Sequence, residues 1–393
     1  MKTRKLGVRG PEVSALGFGC MRLPVTGNRI DRPMASRMLL EAIDSGVNYI
    51  DTAFLYHNGE SESFIADTIT GHLRERVLIA DKMPSWLIRK PSDFDRYFNL
   101  QRRKLKTDRI EVYLLHGLNA RRWKELQSFD VLNWLSRRKE SGDINYAGFS
   151  FHDNYECFEN ILDARVWDVC QIQYNFMNTE EQAGRKGLLK AYEQGVGVIT
   201  MEPLFGGKLV NTPEPVKEVW SGSEHPDWNP AERALRWLWD QKEVGLVLSG
   251  MSTLKQVNEN IRIASEAETA CLSGSEKKLF RKARKAYESL RAVDCSGCGY
   301  CSPCPQGVDI PRNFSLYNRA VMYEDSESSR RGYEWMLKSF EIGITEKDNR
   351  AVNCISCREC EPRCPQSLKI GSLMPEIAAD FSGKKNTAPR FSG

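Results

Sequence analysis

The stretch VNYIDTAFLYHNGE, residues 47–60, joins a short apolar run to the polar turn that directly follows it. Its first residues are apolar almost without interruption, as in the buried strands of parallel sheets, and Asp51 ends the run. The preceding segment, residues 32–46, repeats apolar residues at helical spacing and closes on Gly46. A helix that leads into a buried strand is the repeating unit of an α/β fold with a parallel sheet.

The same alternation of helix-like and strand-like segments extends over about the first 260 residues. Eight such units predict an α/β fold of the (β/α)8 TIM-barrel type. The alternative is an open doubly wound sheet, but no G-x-G-x-x-G motif follows the first strand, which disfavours a Rossmann site. The strand-like runs are SALGFGCM (14–21), VNYIDTA (47–53), VLIADKM (77–83), IEVYLLH (110–116), INYAGFS (144–150), DVCQIQYN (168–175), GVGVITMEP (195–203) and GLVLSGM (245–251).

Charge and composition narrow the classes of function. The chain has 393 residues with a formal net charge of +4, and 41% of them are hydrophobic and 27% charged, as in an ordinary globular protein. No basic run is interleaved with aromatic residues, so we expect no nucleic acid partner. The N-terminus MKTRKLGVRG lacks an apolar signal region, and no apolar run approaches the roughly 18 residues of a spanning helix. We therefore expect no membrane association and a cytoplasmic location.

Polar and ionisable side chains stand at the ends of consecutive predicted strands. Asp51 ends the second strand and Tyr56 follows about one turn later, Lys82 ends the third strand, and His116 ends the fourth. The catalytic residues of TIM barrels lie at this end of the strands. A buried Lys lowers the pKa of a neighbouring phenol, and an Asp keeps that Lys charged. The Tyr can then protonate a developing alkoxide, while the His orients or polarises the carbonyl.

These four residues match, in order and context, the Asp-Tyr-Lys-His tetrad of the aldo-keto reductase superfamily, which the chain resembles over most of residues 1–265. The resemblance implies a nicotinamide-dependent oxidoreductase in which hydride is transferred to a small carbonyl substrate and Tyr56 is the general acid. We expect Phe54, Trp86 and Phe205 to shape the substrate pocket. His57 and His152 are further candidates to face the substrate, with an ordinary rim or core position as the alternative for each.

The resemblance also implies a cofactor site. Ser150, Gln171 and Asn175 would hold the nicotinamide carboxamide, but Phe151 stands where the family usually has Asn, and Met201 replaces the usual stacking aromatic residue. Methionine can still cover the ring as a soft apolar plate. The turn after the eighth strand would receive a phosphate at a helix N-terminus. The further residues of the predicted site are Gly19, Cys20, Met21, Pro203, Leu204, Gly206, Gly207, Lys208, Ser249, Gly250, Met251, Ser252, Lys255, Gln256, Glu259 and Asn260.

The same turn bears on the choice of nicotinamide cofactor. Gln256 replaces the Arg that most NADPH-dependent relatives use, and Lys255 can compensate for that loss of charge. The pattern therefore favours NADP(H), with NAD(H) as the alternative.

Eight of the 12 cysteines form two tight runs near the C-terminus. The first run has the pattern Cys-x2-Cys-x2-Cys-x2-Cys-Pro and contains Cys295, Cys298, Cys301 and Cys304. The second run has the pattern Cys-x2-Cys-x2-Cys-x3-Cys-Pro and contains Cys354, Cys357, Cys360 and Cys364. The second run matches the bacterial ferredoxin pattern that holds 4Fe-4S clusters, and the first is one residue shorter. Zinc is the rival interpretation, but zinc does not require three cysteines in this register followed by Cys-Pro.

By resemblance to two-cluster ferredoxins, the fourth cysteine of each run ligates the other cluster. Cys364 would thus join Cys295, Cys298 and Cys301, and Cys304 would join the second run. Two 4Fe-4S clusters are predicted, with a single cluster as the alternative. The predicted organisation is a barrel over residues 1–275, a linker helix over 276–292, a mostly helical ferredoxin-like iron-sulfur domain over 293–381 and a disordered tail over 382–393.

The sequence leaves open two principal functions and a third alternative, a nicotinamide-binding regulatory subunit with slow residual chemistry, which the departures at Phe151 and Met201 allow. The first is a carbonyl reductase whose clusters are structural or serve a redox partner protein. The second is an electron-transfer or redox-sensing protein whose barrel binds NADP(H) or flavin and exchanges electrons with the clusters. A nicotinamide gives two electrons as hydride while each cluster takes one, so the second function would need a flavin or a quinone to divide the pair.

Overall fold

The computed structural model describes residues 1–341, 343 and 345–383. The chain divides into two compact units. The first consists of Met1–Gly207 with Trp228–Ser273, and the second consists of Lys208–Asp227 with the chain from Gly274 onward. The tail predicted to be disordered lies, from residue 384 on, outside the described residues.

The first unit contains a closed barrel of eight parallel strands, which confirms the (β/α)8 prediction. Each strand pairs with the next along the chain, and the eighth pairs with the first. The strands are β1 Leu16–Gly19, β2 Tyr49–Asp51, β3 Leu78–Met83, β4 Ile110–Leu118, β5 Ile144–Phe151, β6 Val169–Gln173, β7 Gly197–Met201 and β8 Leu246–Gly250.

The helices follow from amphipathic sequences with local caps. Asn119, Asn154 and Asn229 each accept a hydrogen bond from a backbone N–H in the first turn of the helix that they precede. In chain order the helices are α1 Arg32–Asp44, α2 Ser61–Thr68, α3 His72–Glu75, α4 Ser92–Leu105, α5 Ala120–Ser128, α6 Val131–Glu140, α7 Tyr155–Leu162, α8 Gly184–Glu193, α9 Glu214–Trp220, α10 Pro230–Trp239, α11 Leu254–Ser265, α12 Gly274–Glu288, α13 Ile310–Met322, α14 Ser326–Glu341 and α15 Ile370–Phe381.

An antiparallel hairpin covers the end of the barrel at which the strands begin. Its strands, Thr3–Lys5 and Glu12–Ser14, flank a turn in which Leu6 is fully buried among apolar side chains from the barrel interior. Gly7 has φ of 70°, and a methyl group there would lie 2.3 Å from the backbone nitrogen of Gly197. Because this end is covered so closely, the opposite end, where the strands finish, is the one available to a ligand.

The second unit has a separate apolar core built around α13, α14 and α15. The rings of Tyr333 and Phe381 stack at 4.7 Å, and Phe314 and Met374 are fully buried beside them. Within the same unit, Trp220 of α9 meets Phe280 of α12 with ring centroids 5.0 Å apart.

The boundary between the units differs from the expected one. Residues 208–227, expected in the barrel, group with the second unit, because α9 packs against α12 there. The predicted linker helix of residues 276–292 is represented by α12, which belongs to the same unit.

Within the described residues, none of the helices is both long enough and apolar enough to span a lipid bilayer.

Candidate active site and iron-sulfur ligands

A buried ion pair lies at the open end of the barrel. Lys82 on β3 and Asp51 at the end of β2 are almost fully inaccessible, with Nζ of Lys82 2.5 Å from Oδ1 of Asp51. The same ammonium donates to the carbonyl oxygen of Thr52 at 2.7 Å. Adjacent parallel strands place these residues together, because the register that pairs Asp51 with Ala80 brings both strand ends to the same edge.

The charge of Lys82 is maintained by these neighbours. Burial alone would lower the pKa of its ammonium, but Asp51 and Tyr56 beside it raise that pKa above its ordinary value. Removing Asp51 would leave an unpaired buried charge, which is a strongly destabilising change.

Tyr56 lies directly beside this pair. Its hydroxyl is 3.4 Å from Nζ of Lys82, and that nitrogen is 5.0 Å from the centroid of the phenol ring. Burial raises the pKa of Tyr56, and the neighbouring Lys82 only partly opposes this rise. Lys82 lowers the phenol pKa as expected, but burial, which the sequence does not give, outweighs that effect and makes the net shift upward. Tyr56 holds its proton at neutral pH, which is the form that a general acid needs.

His116 completes the group from β4. Its ring centroid is 6.2 Å from that of Tyr56 and 5.1 Å from that of Trp86. Burial, followed by the nearby charge of Lys82, lowers the pKa of the imidazole well below its ordinary value, so the ring is neutral at neutral pH. Its Nδ1 atom is buried and has no hydrogen-bond partner among the described residues. Within the described residues this nitrogen is therefore an unsatisfied polar atom beside Tyr56 and Lys82.

The residues predicted to hold the nicotinamide are arranged around the ends of β5, β6 and β7. Gln171 is buried, its Oε1 has no partner among the described residues, and its Nε2 lies 3.5 Å from the sulfur of Met201. A carboxamide N–H2 could satisfy that oxygen, so the residues present fit this group. The hydroxyl of Ser150 accepts a hydrogen bond from the backbone N–H of Gly117 at 2.7 Å.

The side chains of Asn175 and Phe151, near this predicted site, have structural roles. Asn175 donates to the carbonyl oxygen of Glu202 at 3.1 Å and accepts from the N–H groups of Met177 and Asn178. Phe151 does not face the barrel mouth as the usual Asn would, because it is fully buried against Phe158 of α7 with ring centroids 5.2 Å apart.

The loop after β7 contains several residues with left-handed backbone. Gly206 and Gly207 have φ of 71° and 94°, and a methyl group on Gly207 would meet nothing within 4 Å. These glycines follow Pro203 and Leu204 and leave the backbone accessible to a phosphate. Lys208 falls in the second unit, where it is buried.

The turn between β8 and α11 is held by hydrogen bonds to its own backbone. Oε1 of Gln256 accepts from the N–H of Ser252 at 2.8 Å, so Gln256 is already engaged. Lys255 is exposed and makes no hydrogen bond or salt bridge in the part of the chain that the structure describes. Asn260 is buried and donates to Ser249 at 3.1 Å. The carboxylate of Glu259 accepts a hydrogen bond from Asn229.

Arg22 is a candidate phosphate ligand that the sequence analysis missed. Methyl groups added at Gly206 and Gly250 would lie 3.3 Å and 3.2 Å from its side chain, so Arg22 lies beside both loops. It follows Gly19, Cys20 and Met21 at the end of β1, with Cys20 buried and Met21 62% exposed. The Cys20 carbonyl oxygen lies 3.1 Å from Nε2 of His57. No motif in the sequence marks Arg22, because its position depends on loops that are far apart along the chain.

The three aromatic residues expected to shape the substrate pocket differ in burial and in the side chains that they contact. Trp86 is half-buried beside His116, whereas Phe205 is buried. The ring of Phe54 packs 5.5 Å from that of Tyr97 on α4. His152 follows β5 and is exposed.

A pair of buried carboxyl groups lies behind Lys82, and the sequence analysis did not identify it. Asp81 on β3 and Glu62 on α2 are fully buried, and each has one oxygen without a hydrogen-bond partner among the described residues. Burial, and then the neighbouring Glu62, raise the pKa of Asp81 well above its ordinary value. Glu62 is itself paired with Lys104 at 2.8 Å. A proton held between the two carboxyl groups would satisfy both orphan oxygens.

The buried Asp81–Glu62 pair should make the stability of the fold depend on pH. Because the folded pKa of Asp81 is raised, the folded state must retain a proton that the unfolded chain releases above about pH 4, so this group destabilises the fold increasingly as pH rises. An amide at this position donates a hydrogen bond at every pH, because it does not first have to take up a proton. We expect Asp81→Asn to raise the melting temperature by about 2–4 °C at pH 7, which corresponds to roughly 1 kcal/mol, and by less at pH 5.

Thermal unfolding followed by circular dichroism at both pH values would measure this effect. Asp44→Asn is the matched control, since Asp44 is exposed and, among the described residues, its carboxylate is bonded only to Arg76. A melting temperature that falls in Asp81→Asn at pH 7 would show that Asp81 is ionised in the folded protein.

In the second unit, four cysteines surround one cavity. Three come from the first run, Cys295, Cys298 and Cys301, and the fourth is Cys364 from the second run. Most of the remaining lining is apolar, with Ile310, Pro311, Phe314, Pro365, Leu368 and Ile370, and Ser296, Gly299 and Gln366 complete it. A set of four convergent thiols in an apolar shell is the donor set that a 4Fe-4S cluster requires, so the residues fit this cofactor. No group of three or more His, Cys, Asp or Glu among the described residues is arranged to hold a single metal ion.

Three of the four remaining cysteines of the two runs, Cys304, Cys354 and Cys360, lie close to one another in the same unit. Burial raises the pKa of Cys360 to about 11, and the thiols of Cys354, Cys301 and Cys304 add to this rise. Cys360 therefore has as neighbours Cys354 of its own run and both Cys301 and Cys304 of the first run. Cys357 is exposed, as is Cys298 at the corresponding position of the first run.

Comparison with known proteins gives two family matches. The model of the Aldo/keto reductase family matches residues 15–270, and that of a 4Fe-4S dicluster domain matches residues 294–368, which include both cysteine runs. Curated relatives include the uncharacterized oxidoreductase YqkF of Bacillus subtilis and the NADH-specific methylglyoxal reductase of Escherichia coli. Each is 25% identical, and each alignment covers 73% of this chain and 100% of the relative.

A solved structure shows the same relationship. The holo form of the aldo-keto reductase AKR11C1 from Bacillus halodurans is 26% identical and superposes with a TM-score of 0.62. The superposition covers 73% of this chain and 97% of that one.

Proposed function

Because the chain belongs to the aldo/keto reductase family, we propose that its barrel reduces a small aldehyde or ketone to the alcohol with a nicotinamide cofactor. The observation that carries this proposal is the contact of Tyr56 with the buried Lys82–Asp51 pair, with His116 beside it. Electron transfer alone would not need a protonated phenol at the end of the barrel.

The residues act on the carbonyl oxygen of the substrate. When bound, a reduced nicotinamide supplies hydride to the carbonyl carbon. Tyr56 gives its proton to the oxygen as negative charge develops there, and Lys82 stabilises the phenolate that remains. His116 is neutral and orients the same oxygen. Asp51 keeps Lys82 charged, and Tyr56 is reprotonated from solvent before the next turnover.

We further propose that the cofactor lies across the ends of β5 to β8, with Gln171 at its carboxamide. The accessible backbone of Gly206 and Gly207 and the cation Arg22 would hold its diphosphate. Lys255 in the first turn of α11 would meet a 2′-phosphate, so NADP(H) is the preferred cofactor, although one relative is named as NADH-specific.

Lys255 allows a direct test of this preference. We expect Lys255→Ala to raise the KM for NADPH about 10-fold, because one charge-assisted hydrogen bond is lost, and to leave the KM for NADH unchanged. Lys277→Ala is the charge-matched control, since Lys277 lies on α12 in the other unit. Equal KM values for NADPH in wild type and Lys255→Ala would exclude this residue from the phosphate site.

The experiment that tests the function is steady-state turnover of purified full-length protein with its clusters intact. Loss of dihydronicotinamide absorbance is followed with NADPH and with NADH against a panel of short aldehydes, ketones and dicarbonyls. Formation of the corresponding alcohol in equal amount supports the proposal. The absence of alcohol from every carbonyl with either cofactor would overturn it.

For the second unit we propose two 4Fe-4S clusters that exchange single electrons with a redox partner. Each candidate cluster has an exposed cysteine, Cys298 or Cys357, and an exposed apolar side chain close to it in sequence. These are Tyr300, 65% exposed, and Ile355, 63% exposed. Exposed apolar side chains of this kind favour contact with another protein.

The second candidate function, electron exchange between nicotinamide and the clusters, is distinguished by an anaerobic titration with NADPH. Bleaching of the visible cluster absorbance together with a reduced-cluster EPR signal would support it, and would require a search for flavin or quinone. Binding of NADPH without cluster reduction favours the carbonyl reductase.

A further inference from the structure

A second arginine, Arg122, lies near the proposed catalytic residues, in the helix that follows β4. Arg122 is in the first turn of α5, and β4, which carries His116, ends just before that helix begins. The first turn of α5 contains no acidic residue, and Arg121 and Arg122 both lie in it. Cations are disfavoured at a helix N-terminus because they face the positive end of the helix dipole. Helix stability therefore does not explain why arginine stands here.

The guanidinium of Arg122 is held in a defined position. Its Nη1 donates to the carbonyl oxygen of Gly117 at 2.6 Å, and the group lies 5.6 Å from the centroid of the Trp86 ring. Gly117 has φ of 59°, and a methyl group there would lie 3.3 Å from Nη1 of Arg122. The positively charged group is thus fixed against the residue that directly follows His116.

Most of the hydrogen-bonding capacity of Arg122 is unused. A guanidinium has five N–H donors, and only the bond to Gly117 is formed within the described residues. No carboxylate of the described chain lies within 4.0 Å of it, although the side chain is half-buried. The neighbouring Arg121 differs, because it pairs with Glu125 at 3.2 Å.

Arg122 lies near the residues that would contact the substrate. The Trp86 ring lies close to both Arg122 and His116, with its centroid 5.6 Å from the guanidinium carbon of Arg122 and 5.1 Å from the ring centroid of His116. The charge of Lys82 is balanced by Asp51, whereas that of Arg122 has no such partner among the described residues. The acids around the start of α5 are engaged elsewhere: Glu125 pairs with Arg121, and Asp153 accepts a hydrogen bond from the backbone N–H of Ala120 at 2.8 Å.

We propose that Arg122 binds an anionic group of the substrate, so that the barrel acts on short-chain oxo acids whose carboxylate lies against Trp86. This inference rests on the proposed carbonyl reductase function for the reaction, but the anion site itself does not depend on turnover. A planar guanidinium with free paired donors matches a carboxylate, and the aromatic ring beside it excludes water from one face.

The first experiment measures binding and needs no chemistry. Succinate and its neutral diamide, succinamide, are titrated into the full-length protein by calorimetry, with and without NADP⁺. We expect succinate to bind about 10-fold more tightly than succinamide in at least one of these conditions. The preference should disappear in Arg122→Gln and remain in Arg121→Gln. Equal affinities in the wild type, or equal losses in both variants, would overturn the proposal.

The second experiment separates this inference from the proposed function. Succinic semialdehyde and butanal have the same reacting carbonyl and differ in the carboxylate. We expect Arg122→Gln to lower kcat/KM for succinic semialdehyde about 10-fold or more and to leave butanal within about twofold. Turnover of both aldehydes with no selective effect of Arg122→Gln contradicts the anion site while leaving the reductase intact. Absence of all turnover in the wild type contradicts the reductase, and the calorimetric result then decides the anion site.

Discussion

Tyr56→Phe is expected to lower kcat for carbonyl reduction by about 10²- to 10⁴-fold, the range for loss of a positioned general acid. The hydroxyl of Tyr56 lies 3.4 Å from the ammonium of Lys82, and within the described residues no other tyrosine hydroxyl is hydrogen-bonded to Lys82 or Asp51. The substitution removes one oxygen atom and leaves the Lys82–Asp51 contact in place. Binding of the nicotinamide cofactor should therefore change little.

Single-turnover kinetics with saturating NADPH, together with fluorescence titration of the cofactor, measure these two effects separately. Tyr49→Phe is the matched control, because Tyr49 is a fully buried tyrosine on β2 whose hydroxyl has no hydrogen-bond partner among the described residues. We expect its kcat to equal that of the wild type. A Tyr56→Phe variant that retains more than about one tenth of kcat would remove Tyr56 from the role of general acid.

The largest expected effect in the second unit is on iron content, and it tests which cysteines share a cluster. If Cys364 joins Cys295, Cys298 and Cys301, the double variant Cys301→Ala/Cys364→Ala loses one cluster and retains about four iron atoms of about eight. The double variant Cys301→Ala/Cys304→Ala removes a ligand from both clusters and should retain almost none. If each run instead holds its own cluster, the two double variants exchange these results.

Iron and acid-labile sulfide are determined on anaerobically purified protein, with visible absorbance and EPR of the reduced form. Cys271→Ala is the control, since Cys271 is exposed and lies outside both runs. The single variants should each retain about half of the iron, which shows that the unit remains folded. Wild-type protein with about four iron atoms would contradict the proposal of two clusters, and a zinc content of one or two with no iron would contradict an iron-sulfur site.

Local patterns account for the parts of the fold that could be predicted. Buried parallel strands such as VLIADKM are apolar over consecutive residues, so their number and spacing indicated the barrel without any knowledge of distant contacts. The strand ends then placed Asp51, Tyr56, Lys82 and His116 together, because all parallel strands of a barrel finish at the same face. The cysteine runs are equally local, since their spacing alone selects the cofactor class.

Properties that depend on surroundings could not be obtained in this way. The pKa of Tyr56 is raised because burial outweighs the neighbouring Lys82, and burial is a result of the whole barrel. Phe151 ends β5, but only its packing against Phe158 shows that it points away from the mouth.

The sequence by itself determined the barrel, the candidate catalytic residues and the candidate cluster ligands, because each is encoded in residues that are close along the chain or in the common direction of the strands. Tertiary structure alone decided the burial of Asp81 beside Glu62, the unpaired state of Arg122 within the described residues and the grouping of residues 208–227 with the second unit. Those features depend on which charges and surfaces meet after folding, and the energy of a charge is set by its neighbours and its distance from water rather than by its position in the chain.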